Sequence, residues 1–220
     1  YGVNTVRRGG LKVYTTVEPS EQASALSALD SNLYAGGPSG ALVAVDPRNG
    51  DIKAMVSSTN YEDSKYNLAS QGRRQPGSTF KVFTLTTAIT EGIDPYTTYY
   101  ESKPLNIDDP VYGHWEVHTY GDSYSGTIDI HDATLASDNS VFAQLALDVG
   151  PDKIAEMAHK MGITTHLDGY PAETLGGLTI GVSPLEMAGA YSTLASGGVR
   201  HDPTAIEKVV FPNGDVDRPG

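Results

Sequence analysis

Ser78 and Lys81 stand three residues apart in Ser78-Thr79-Phe80-Lys81, a spacing suited to acyl transfer. A serine hydroxyl attacks a carbonyl only when a neighbouring base takes its proton. On a helix, a residue three positions on lies one turn away on the same face. The run predicts a helix opening at Ser78, where free N–H groups and the positive end of the helix dipole favour developing negative charge. Burial and that dipole would lower the lysine toward a usable base. A second pattern, Ser137-Asp138-Asn139, offers a hydroxyl able to relay a proton between that lysine and a leaving group. Its asparagine offers an amide able to hold a peptide through donor and acceptor together. Ser58-Thr59-Asn60 repeats the pattern at the end of a predicted strand. Ser137 is preferred because it falls between two predicted helices, in a short loop able to point inward. Each pattern is cheap by itself. With eight lysines and eighteen serines, chance supplies on the order of 0.7 Ser-x-x-Lys pairs. An N-capping serine followed by a surface lysine is the competing reading.

The elements that must position these residues follow from pattern and punctuation. Gly10 to Val17 is a short predicted strand, and Ser20 is a candidate N-cap for a helix carrying Ala23, Leu26, Leu29 and Leu33. Ala41 to Asp46, the turn Pro47-Arg48-Asn49-Gly50, and Asp51 to Ser58 form a hairpin with both arms expected to be largely buried, as in the middle of a sheet. A helix runs from Ser78 to about Thr90 and closes at Gly92. Asp94 to Thr127 is Tyr-rich and weakly periodic, and is expected to be irregular. Helices are predicted near Ile128 to Ala136, Val141 to Val149, Pro151 to Met161 and Pro184 to Ser196. A second hairpin turns at Pro212-Asn213-Gly214. The order predicts an α+β domain: a mainly antiparallel sheet with helices on its faces.

Composition closes other routes. Of the 220 residues, 39% are hydrophobic and 19% charged, an ordinary globular mixture. The net charge of -12 argues against nucleic acid, which needs clustered Lys and Arg. The absence of cysteine excludes disulfides, thiolate metal sites and thiol catalysis. No run approaches the roughly 20 apolar residues of a membrane span. His114-Trp115-Glu116-Val117-His118 has two histidines around a glutamate, but not in zincin order, and is taken as a solvated loop. The tyrosines between Tyr96 and Tyr124 either line a peptide groove or pack a long loop onto the core. Gly36-Gly37-Pro38 is a turn.

The flanks narrow the choice. Arg74-Gln75-Pro76-Gly77-Ser78-Thr79-Phe80-Lys81 closely resembles the active-site segment of class A (bifunctional) penicillin-binding proteins. Gly10 to Thr16 is similar to the strand entering their transpeptidase domain. Ala41 to Pro47 with Gly50 and Ala54-Met55-Val56 is similar to their first hairpin, and Ser137 to Ala146 to the second motif and its helix. Leu175-Gly176-Gly177 and Gly181 to Ala188 match a later segment. The resemblance implies the penicillin-binding protein/β-lactamase-like serine transpeptidase fold. Residues 1–40 would form a linker strand and helix, and 41–220 an incomplete transpeptidase domain. It implies a bacterial peptidoglycan D,D-transpeptidase at the extracytoplasmic face of the cell membrane. Its partners would be D-Ala-D-Ala stem peptides and covalently bound β-lactam antibiotics. Ser78, Lys81 and Ser137 would be catalytic and Asn139 substrate-binding, with no metal or cofactor and no nucleic acid. Any membrane attachment would come through a segment absent from this chain.

The family's third motif, Lys-Thr-Gly or Lys-Ser-Gly on a strand, is nowhere in the sequence, and Lys160-Met161-Gly162 is not a substitute. The expectation is that this chain stops before that strand and, alone, is inactive. The alternatives are a D-alanyl carboxypeptidase or β-lactamase-like hydrolase, a penicillin-binding sensor without turnover, and a structural role for a degenerate domain.

Overall fold

A computed structural model describes residues 1–59 and 61–218. The chain folds as two compact units. The first comprises Tyr1–Gly72, Met161–Ile163 and the residues from Ser183 onward. The second comprises Arg73–Lys160 and Thr164–Val182.

In the first unit, α1 (Val3–Arg8) buries no residue. β1 (Lys12–Thr15) pairs antiparallel with β8 (Ile206–Val210), which pairs with β9 (Val216–Asp217). α2 (Pro19–Asn32) is capped by Glu18, with no side-chain cap bond and Pro19 in the first turn. Ser20 is therefore not its N-cap. Proline, with φ preset and no N–H to lose, marks the start two residues earlier than a Ser20 cap would. β2 (Ala41–Val45) and β3 (Ile52–Ser57) form the expected hairpin. β3 alternates buried and half-buried, and β2 is half-buried throughout. The arms are thus less enclosed than expected. Among the described residues β2 pairs with β3 alone, while Ala25 and Leu29 of α2 pack on Ala54 and Val56. The unit also holds α3 (Leu68–Gln71) and α8 (Pro184–Ala195). Ser183 caps α8 and its Glu186 returns the bond, a complete capping box.

The second unit is built around α6 (Asn139–Val149). Seven of its eleven residues are buried, including Phe142 and Leu145, which suits a helix enclosed on several sides. α4 (Lys81–Thr90) buries Phe83 and Ala88, and α5 (Ile130–Leu135) buries Ile130 and Ala133. α7 (Pro151–Met161) closes the run of helices. The 94–127 segment is not irregular. β4 (Tyr99–Ser102) pairs with β7 (Gly126–Asp129), and β5 (Leu105–Asp109) with β6 (Gly113–Val117). The second pair turns on Asp109, whose carboxylate accepts from the Val111 and Tyr112 N–H groups. Its inward residues, Leu105 and Val117, pack on Ala143 of α6. Every named ladder in both units is antiparallel.

Candidate active site

Ser78 lies in a 3₁₀ turn, Gly77–Phe80, that runs directly into α4. This differs from the α-helical start read from the sequence. Pro76, at φ -74, cannot donate an N–H, and Gly77 takes φ +57, so the chain turns sharply before the serine. In a 3₁₀ turn residues three apart eclipse, which keeps Ser78 and Lys81 on one side. The Thr79 hydroxyl donates to the Pro76 carbonyl at 2.6 Å and closes the turn. Phe80 is fully buried edge-to-face against Phe83, with ring centroids 4.6 Å apart, and anchors it from below. Ser78 remains exposed.

Lys81 is the opposite case, a lysine only 4% exposed. Its Nζ donates to the Ser137 carbonyl at 2.6 Å, to Ser137 Oγ at 3.2 Å and to Asn139 Oδ1 at 2.8 Å. Three donors meet three acceptors. The Phe142 ring lies beneath, its centroid 5.4 Å from Nζ. Burial pulls the amine down from its ordinary 10.5 to about 8, opposed by the nearby Asp138 carboxylate. The lowering foreseen from burial is present.

Ser137 sits at the corner between α5 and α6, with φ +52, a left-handed conformation rare outside glycine. Its N–H donates to the Thr134 carbonyl and that of Asp138 to Ala133, folding the chain back at the end of α5. Asp138 then caps α6 by accepting from the Val141 N–H. This carboxylate is 4% exposed and also accepts from Ser102 Oγ at 2.5 Å and Ser140 Oγ at 2.7 Å. Buried charge of this kind persists because its lone pairs are filled. Asn139 begins the helix. Its Oδ1 takes the lysine, and its Nδ2 donates to the His118 carbonyl at 2.9 Å.

The predicted residues are therefore brought together: Lys81, Ser137 and Asn139 by direct hydrogen bonds, and Ser78 with Ser137 and Asn139 around one cleft of about 550 Å³. Thr119, Ser123, Ser125 and the fully exposed Tyr120 line it as well. Of the rival triplet, Ser58-Thr59 lies in the first unit and Asn60 falls outside the described residues. His114 and His118 do not converge. His114 lies on strand β6, not in a loop, beside Asp108, while the His118 ring faces Asp122 and Tyr124. Among the described residues the one grouping with metal-ligand proximity is Asp129, His131 and Asp132. Asp129 there caps α5, and none of the three lines the cleft.

Sequence reasoning missed two contributors. In the sequence Asp138 is only the middle of a triplet, and its partner Ser102 lies 36 positions away. The His118 carbonyl that holds Asn139 is backbone, for which side-chain identity gives no signal.

Residues 40–219 match the family model for the penicillin-binding protein transpeptidase domain. Penicillin-binding protein 2D of Bacillus subtilis is 32% identical over 213 residues, 96% of this chain and 30% of that protein. Penicillin-binding protein 1A of Mycobacterium tuberculosis is 33% identical over 96% of this chain and 27% of its own length. The chain thus spans under a third of these relatives. The structure of the penicillin-binding protein PonA1 from Mycobacterium tuberculosis superposes with a TM-score of 0.84, at 31% identity, over 98% of this chain and 57% of that one. The same protein in complex with penicillin V gives 0.83 at 29% identity, over 99% and 60%.

Proposed function

The chain belongs to the penicillin-binding protein transpeptidase family, and on that premise we propose that it is the acyl-transfer part of a peptidoglycan D,D-transpeptidase with Ser78 as nucleophile. The observation that carries this reading is the buried Lys81 amine, lowered to about 8 and bonded to both members of the Ser137–Asn139 pair beside an exposed serine.

In this reading neutral Lys81 takes the Ser78 proton, and Ser78 Oγ attacks the carbonyl of the penultimate D-alanine. The oxyanion meets the Ser78 N–H, one half of its cradle. The C–N bond breaks, and Ser137 passes a proton to the departing D-alanine amine. The ester is then attacked by an amine of a neighbouring stem peptide, and Ser78 regains its proton. Asn139 orients the donor backbone by exchanging Lys81 and His118 for the peptide's own groups. A β-lactam acylates Ser78 by the same attack, its amide nitrogen leaving but staying tethered. The extracytoplasmic membrane face is the place where this substrate lies; among the described residues no helix is long and apolar enough to cross a membrane. Since the sequence holds no Lys-Thr-Gly or Lys-Ser-Gly triplet to complete the oxyanion cradle, the 220-residue chain alone acylates slowly.

The test uses the natural full-length protein with a donor peptide ending in D-Ala-D-Ala and an acceptor amine. Release of D-alanine matched by cross-linked product, both lost in Ser78→Ala, supports the reading. Release matched by the free acid alone makes the protein a carboxypeptidase. Release of one D-alanine per molecule, with the acyl-enzyme persisting and neither cross-linked product nor free acid formed, makes it a sensor.

A further inference from the structure

The turn that carries Ser78 is exposed, yet its backbone is held from beneath by one segment, residues 174–182. The Arg74 N–H donates to the Val182 carbonyl at 3.0 Å, and the Val182 N–H donates back at 3.0 Å. Gln75 closes a second pair of bonds. Its Nε2 donates to the Leu178 carbonyl at 2.5 Å, and its Oε1 accepts from the Leu178 N–H at 2.7 Å. Gln75 is itself exposed. A free surface glutamine has little to gain from surrendering its rotamers in this way.

Closer to the serine, the two backbones touch. Gly176 has φ +79, and a Cβ placed on it would lie 2.3 Å from the Gly77 nitrogen and 2.4 Å from the Gly77 oxygen. A Cβ on Gly181 would stand 2.5 Å from the Arg74 carbonyl carbon. No side chain fits at either place unless the nucleophile turn moves. At its other end the segment is tied to the helix of the base, because the buried Thr174 and Thr84 hydroxyls hydrogen-bond to each other. Thr84 lies about one turn beyond Lys81 on α4. One segment therefore grips the turn before Ser78 and the helix that carries Lys81.

We propose that residues 174–182 act as a strap fixing Ser78 against Lys81, with Gly176 and Gln75 as positioning residues for acylation. This rests on Ser78 being the nucleophile. Neither residue touches the reacting atoms. Each acts through the Gly77–Ser78 backbone, so its removal changes the rate of bond formation and leaves recognition of the ligand intact.

The experiment is stopped-flow acylation of the natural full-length protein by a fluorescent penicillin, resolved into the non-covalent Kd and the first-order acylation constant. Thermal melting runs in parallel. Misplacing a reacting group by about an ångström costs on the order of a hundredfold. Gly176→Ala is expected to lose between about tenfold and a hundredfold in the acylation constant, with Kd within about twofold and the pH midpoint unmoved. Gln75→Ala loses less, about threefold to tenfold, by the same route. Ile154→Ala, a buried residue of α7 outside the strap, lowers the melting temperature and keeps the wild-type acylation constant. If Gly176→Ala does not fold, Gln75→Ala carries the test, since it removes two side-chain hydrogen bonds and puts no new atom between the backbones. Wild-type acylation constants in Gln75→Ala and in any folded Gly176→Ala, a loss confined to Kd, or a loss that follows the melting temperature across all variants would overturn the strap. Absence of any Ser78 adduct in the wild type would remove the nucleophile assignment and the strap together.

Discussion

Lys81 donates from the first residue of α4 to Asn139 at the first residue of α6, Nζ to Oδ1 at 2.8 Å. The two helix starts are thereby joined through one buried amine. Ser137, the left-handed corner residue between α5 and α6, supplies that amine's other two acceptors. An amine, a hydroxyl and an amide become one hydrogen-bonded unit beside the exposed Ser78.

Acylation should titrate with Lys81. The amine can accept a proton only when neutral, so the acylation rate constant is expected to rise about tenfold per pH unit below about 8 and to level off above it. Rates against pH with a β-lactam stable over that range check this. A flat profile from pH 6 to 9 contradicts it.

The same shift has a consequence for folding. Between about 8 and 10.5 the unfolded chain keeps a proton that folded Lys81 has released, so stability rises with pH across that window. Below it, the buried ammonium costs roughly 3 kcal/mol. Chemical denaturation of wild type and Lys81→Met at pH 7.5 and 10 isolates the effect, and the rise should be missing from the variant.

Asp138→Asn should move the acylation midpoint below about 8, because it removes the charge that raises the lysine against the pull of burial. It also sets an amide donor against the Ser102 and Ser140 hydroxyls, at a stability loss of about 1–3 kcal/mol. A midpoint that stays in place or moves upward would show that this carboxylate does not set the lysine's titration.

Ser137→Gly should separate stability from activity. Its φ of +52 favours glycine by about 1 kcal/mol, partly offset by the greater freedom of an unfolded glycine. Melting is therefore expected to change little. Loss of the hydroxyl relay should cost about 10²–10⁴ in acylation. Full activity in the variant would assign the relay elsewhere.

Much of the site was legible because its spacing is local. Three residues from Ser78 to Lys81, and a triplet at the junction of two helices, are set by backbone geometry that side-chain types report. The short strands over α6 were not legible. β5 and β6 each send only two residues toward the core, Leu105 with Ile107 and Trp115 with Val117, an alternation too short to stand out in the sequence. The start of α2 was misplaced because Ser20 resembles a cap, whereas Pro19 sets the entry. Asp138 and Gln75 act on partners 36 and 103 positions away, a relation no local pattern records.

The central claim is that Ser78 forms the acyl-enzyme. Incubating the natural full-length protein with benzylpenicillin, then taking the intact mass and mapping the modified peptide, tests it most directly. The account predicts one penicilloyl group per molecule, on Ser78, and none in Ser78→Ala. An adduct on any other residue, or full labelling of Ser78→Ala, would contradict it.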